Sequence, residues 1–226
     1  GLSLYNFAEI MLEHPFMAPH PIHYLSRWQT AQIQARLADR RVLRLAGARQ
    51  CGKPTLARHL VTESVAYVTL DEATAREAAA ADPVGFIERP VDTLIIDEIQ
   101  RVPALLPAIK WVVDQNPRPG QFLLTGSTHL SAIPAAQESL AGRVAQIRLR
   151  PLSVGEVYQV EPTWMDRAFE RALTAVKQPT DRAGTIELAM AGGFPEVQRL
   201  PAIGRAAWHR DYIEALLTSD LQEISH

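Results

Sequence analysis

The segment GARQCGKPT, Gly47 to Thr55, constrains the fold more than any other stretch of the chain. It follows the short apolar run RVLRLAG and opens the helical pattern TLARHLVTE. Gly47, Gly52 and Lys53 fit the phosphate-loop pattern G-x-x-x-x-G-K-[ST], while Pro54 stands where Ser or Thr is required. The glycines allow the backbone of Ala48, Arg49, Gln50 and Cys51 to curl so that successive N–H groups face one anion. The helix start adds partial positive charge, and Lys53 adds a full one for phosphate oxygens. Taken alone, the segment also reads as an ordinary strand-to-helix turn with an exposed lysine.

The flanking pattern supports the loop. The apolar runs VAYVTLD, VDTLIIDE, QFLLTGS and VAQIRLRPLS alternate with the helical stretches ATAREAAAADP and ALLPAIKWVVDQ. Continuous apolar strands separated by helices predict a parallel sheet covered on both faces. The expected fold is an α/β P-loop NTPase, doubly wound from about Arg41 to Leu152. Trp28 to Arg40 reads as a preceding helix, with Ile33 and Leu37 four apart. After Pro151 the pattern becomes mostly helical, and Ile213, Leu216 and Leu217 form an apolar stripe on the last helix. The expected division is an N-terminal extension over 1–21, the nucleotide-binding core over 22–152 and a helical region over 153–226.

Composition narrows the classes. The 226 residues are 47% hydrophobic, which suits a packed core and argues against global disorder. The net charge of -2 gives no bulk electrostatic case for nucleic acid or an acidic membrane. Cys51 is the single cysteine, so no intramolecular disulfide forms, in keeping with a reducing compartment. No run reaches the length of a membrane span, and residues 1–25 lack the pattern of a secretion signal; a cytoplasmic protein is expected. His14, His20 and His23 match no usual zinc spacing.

Three further elements carry chemistry. Asp97 and Glu98 end the buried strand LIIDE. Ligands of a parallel sheet sit beyond the carboxyl ends of its strands, so this pair should emerge beside the loop and close to Lys53. An Asp there holds Mg²⁺ in phosphate-loop enzymes, and a following Glu polarises the attacking water. FLLTGST brings Thr125, Ser127 and Thr128 to the same edge, where a hydroxyl would touch the γ-phosphate or the water. Arg143 precedes the strand VAQIRLR and suits an arginine finger for its own site or a neighbour's. The plainer readings are a helix cap, a strand-end turn and a surface salt bridge.

Together, GARQCGKPTLAR, LIIDEIQRVPALLPAIK, FLLTGST, ESLAGR, RLRPLSVGE, GGFPEV and WHRDYIEALLTSDLQEI resemble the prokaryotic AAA-like ATP-binding proteins that carry an uncharacterised C-terminal domain. The resemblance runs from about Tyr24 to the end. It implies ATP as ligand and Lys53 as the Walker A lysine. It makes Asp97 and Glu98 the Walker B pair, Thr125 or Ser127 the sensor region, and Arg143 a finger or sensor. Members normally continue into a domain with winged-helix and nuclease-like features, so a truncated form is expected, with self-association and a protein or DNA partner left open.

Pro54 departs from the family's Thr. Proline at the start of a helix is structurally benign, but here it removes an N–H that would bind phosphate and a hydroxyl that would bind Mg²⁺. Thr55 is rotated about 100° around the helix and does not substitute. The expectation is an ATP site with Mg²⁺ binding weak or lost. The rival readings are an interaction module, with or without nucleotide, and a DNA-associated regulator resting on that family analogy and on arginines such as Arg148 and Arg150. Cys51, near Lys53 and a helix start, is expected to be a reactive thiol that bound nucleotide protects.

Overall fold

The computed structural model describes residues 24–126, 142–170 and 182–224, and they fall into two compact units. The larger, Ser26–Arg150, is the predicted α/β domain. Five strands run parallel: β1 (Val42–Gly47), β2 (Val65–Thr69), β3 (Thr93–Asp97), β4 (Phe122–Gly126) and β5 (Val144–Leu149). Their order is β2-β3-β4-β1-β5. β4 stands between the LIIDE strand β3 and the loop strand β1. Both still deliver their C-terminal ends to one edge.

The helices of this unit are α1 (Gln29–Asp39), α2 (Lys53–His59), α3 (Ala73–Ala81), α4 (Pro83–Ile87) and α5 (Leu105–Gln115). Alternation along the strands sorts the sheet into two faces. Val42, Leu94, Ile96, Phe122 and Leu124 join Leu105, Leu106, Ile109 and Val113 of α5 in one buried cluster. Leu43, Leu45, Ile95 and Leu123 point the other way and are fully buried, on the side where α2 lies over β1, β3 and β4. Strands this apolar have no solvent face to offer, which is why the parallel arrangement wins. α3 ends at Ala81, and a new short helix starts on Pro83, capped by Asp82, whose carboxylate accepts the Gly85 N–H at 2.9 Å.

The second unit is helical over its described part, with α6 (Val154–Val157), α7 (Trp164–Phe169), α8 (Arg182–Ala191) and α9 (Ala202–Ile224). A reciprocal Ser153–Glu156 capping box starts α6. On α9 the expected stripe is not an inward face: Ile213 and Leu217 are more than half exposed. Trp208 and Tyr212, stacked at 5.0 Å, instead meet Phe194 from another side of the helix.

Candidate functional site

The loop between β1 and α2 turns through two left-handed residues, Gln50 at φ 60° and Gly52 at φ 96°. Glycine is the natural occupant of the second. Gly47 is needed for a different reason. A Cβ there would lie 2.4 Å from the Leu149 carbonyl oxygen and 2.9 Å from Cys51 Sγ. Arg49 and Gln50 form the exposed tip, while Lys53 is almost wholly buried. Its ammonium donates to the carbonyls of Gly47 at 3.0 Å and Ala48 at 2.8 Å, which holds it over the hollow of the loop. Pro54 occupies the first turn of α2, and Thr55 beside it is exposed. The Leu56 N–H is bonded to the Gly52 carbonyl at 3.0 Å.

Arg27, which nothing in the sequence singled out, braces the loop from below. Its buried guanidinium donates to the carbonyl of Cys51 at 3.0 Å and also to that of Arg150. Cys51 itself corrects an expectation. Its side chain points under the loop, fully buried, with Sγ 3.6 Å from the Leu149 carbonyl. Burial pushes the thiol above its ordinary range, and Lys53 and Arg27 offset only part of that. Both features predict an unreactive thiol.

On the same edge, Asp97 is held from three directions. Its Oδ2 accepts from the Tyr67 hydroxyl at 2.8 Å and from Thr69 Oγ1 at 3.4 Å, and its Oδ1 accepts from Thr125 Oγ1. Register explains two of these donors, because Thr69 is the β2 partner of Asp97 and Tyr67 lies two residues earlier on the same face. Thr125 is fully buried and also accepts the Glu98 N–H at 3.3 Å. The threonine hydroxyl thus faces the Asp97 carboxylate and the Glu98 backbone N–H.

Glu98 takes a left-handed turn at φ 57°, and its carboxylate accepts from the Gln100 amide. The Gln100 oxygen lies against Gly126, where an added Cβ would be 2.5 Å from it. Among the described residues Lys53 makes no ion pair with Asp97 or Glu98, so the expected closeness does not extend to direct contact.

Residues 39–158, just over half of the chain, match the model of the AAA domain family. The chain belongs to the AAA domain family. That family is P-loop ATPase-like and supports nucleotide binding here. An uncharacterised protein of Mycobacterium bovis, Mb2031c, is 36% identical over 212 residues, covering 86% of this chain and 42% of the relative. The uncharacterised Mycobacterium tuberculosis protein Rv2008c matches to the same extent. The chain therefore spans less than half the length of these relatives.

Arg143 does not reach the nucleotide edge of its own AAA domain. It immediately precedes β5, whose first residue pairs with Val42 at the start of β1, so it lies on the edge where the strands begin. A six-residue strand, roughly 17 Å at about 3.3 Å per residue, separates the two edges. There it forms a two-pronged pair with Asp114 of α5 at 2.5 and 2.9 Å. The pair holds the Asp114 carboxyl below its usual range and raises Arg143 further. That placement is on the edge of the sheet opposite the Gly47–Thr55 loop.

Ser127, Thr128 and the three N-terminal histidines lie outside the described residues. Among the described residues no group of three or more His, Cys, Asp or Glu side chains gathers as a metal site, and no helix is long and apolar enough to cross a membrane.

Proposed function

We propose that this AAA domain captures the phosphates of ATP on the Gly47–Thr55 loop and is a poor Mg²⁺-dependent ATPase. The observation that carries the reading is the buried Lys53 ammonium, held inside a loop that Gln50 and Gly52 bend in left-handed conformations. Backbone N–H groups from Ala48 to Lys53 and of Thr55 would surround a β-phosphate, and Lys53 would exchange its carbonyl partners for phosphate oxygens. Glu98 is the carboxylate able to polarise water. Thr125 positions the Asp97 carboxylate and the Glu98 backbone.

The residues present do not fit a divalent cation. Pro54 has no hydroxyl, and both oxygens of the buried Asp97 carboxylate already accept hydrogen bonds. The missing Pro54 N–H costs about 1.5–3 kcal/mol of phosphate binding, roughly ten- to a hundredfold in affinity. Hydrolysis suffers more, because metal neutralises charge that builds only in the transition state.

A second reading makes a protein contact the purpose of the site, with nucleotide as its control. It is favoured by the helical unit, where Phe169, Met190 and Ile203 are 81, 72 and 88% exposed. Calorimetric titration of ATP into the parent chain and Lys53→Ala tests the first reading. Saturable binding that the substitution abolishes is expected. Equal binding by both chains would place the ligand elsewhere, and binding by neither would leave the contact reading in possession.

A further inference from the structure

We propose that Tyr67 is a positioning residue that takes over the Asp97 carboxylate in place of the missing loop hydroxyl, and so makes nucleotide capture here independent of a divalent cation. The inference rests on the nucleotide-binding reading above and adds a residue on β2 that the loop and carboxylate motifs do not contain.

The geometry is specific. Tyr67 lies on the α2 side of the sheet, two residues before Thr69, and its ring is long enough to bring the hydroxyl up to Asp97 Oδ2 at 2.8 Å. The Arg58 guanidinium, from the last turn of α2, lies over the same ring at 5.1 Å from its centre. Tyr67 therefore ties the helix that follows the loop to the carboxylate on β3. With Thr69 and Thr125 it gives Asp97 three hydroxyl donors from the strands on either side and none from the loop.

A carboxylate saturated in this way gains little by turning towards a hydrated cation, since each charge-assisted bond it gives up must be replaced. Restoring the hydroxyl at position 54 should then be insufficient, because Asp97 is already held elsewhere. Removing the Tyr67 hydroxyl while keeping its ring under Arg58 should release it.

The test is a set of four chains: the parent, Tyr67→Phe, Pro54→Thr and the double variant. Affinity for a fluorescent ATP analogue is measured for each in EDTA and in excess Mg²⁺, with circular dichroism as the check on folding. The parent and Tyr67→Phe should bind within about twofold in the two conditions. Pro54→Thr should gain less than about threefold from Mg²⁺, and the double variant about tenfold or more, one charge-assisted bond's worth. A Mg²⁺ gain as large in Pro54→Thr as in the double variant would overturn the role of Tyr67 while leaving nucleotide binding intact. A large Mg²⁺ gain in the parent would overturn it too. Binding by none of the four folded chains would remove the nucleotide reading and this inference with it. Should Tyr67→Phe fail to fold, Thr69→Val in the Pro54→Thr background frees the same oxygen of a second donor. It should raise the Mg²⁺ gain only if competition for Asp97 is what suppresses it.

Discussion

The two halves of the candidate site differ in where their polar groups are directed. In the loop, Gln50 and Gly52 bend the chain into a cradle, and Lys53 is held over it by only two carbonyls. In the carboxylate half, Asp97, Glu98 and Thr125 satisfy one another and the hydroxyls of β2. One half is built to receive an anion and the other is closed on itself. On the function proposed above, phosphate capture and cation chemistry, joined in most phosphate-loop enzymes by a single hydroxyl, are separable here.

The largest expected effect falls on the open half. Lys53→Ala should lower ATP affinity about a hundredfold or more, as the charge that replaces water around the phosphates is lost. An affinity unchanged in a calorimetric titration would show that the loop is only a turn. The closed half should respond in stability and not in binding. Thr125→Val leaves a buried Asp97 oxygen without its donor and should cost about 1–3 kcal/mol in denaturant unfolding, with little change in nucleotide affinity. A stability equal to that of the parent would mean the carboxylate is not held as described.

Much of this was legible in the sequence, and what was not has identifiable causes. Apolar runs such as LIIDE and QFLLTG have no polar face, so a parallel sheet under two layers of helices was dictated. The donors to Asp97 were hidden, because Tyr67 and Thr69 become its neighbours only once β2 pairs with β3 in one particular register. The direction of Cys51 depended on Gly47 lacking a side chain, which lets β5 come close enough to bury the thiol. Arg143 is different. A residue just before a parallel strand must lie at the edge where strands begin, so its distance from the loop was already implied by the pattern.

Intermediate effects separate the two losses at position 54. In EDTA, Pro54→Ala and Pro54→Thr should both tighten ATP binding by about tenfold, because both restore the same N–H. A gain confined to Pro54→Thr would show that the hydroxyl itself touches phosphate. The smallest effect concerns Cys51. With its thiol buried and raised, alkylation at neutral pH should be slow and should proceed at the same rate with and without ATP. Because the folded form holds the thiol proton more tightly, this contribution to stability is complete below the ordinary thiol range and is lost as pH rises above that range through the raised folded value. Rapid labelling that nucleotide blocks would mean the thiol faces the cradle after all.

The claim that the halves act separately is tested most directly by one ratio. It is the ATP affinity of the parent chain in EDTA divided by its affinity in excess Mg²⁺, both measured at equilibrium. The account predicts saturable binding in both conditions and a ratio within about twofold of one, since the cation would contribute less than the roughly 1.4 kcal/mol that a tenfold change requires. Binding that appears only when Mg²⁺ is present would show that Asp97 turns to a metal despite Tyr67, Thr69 and Thr125, and would contradict it.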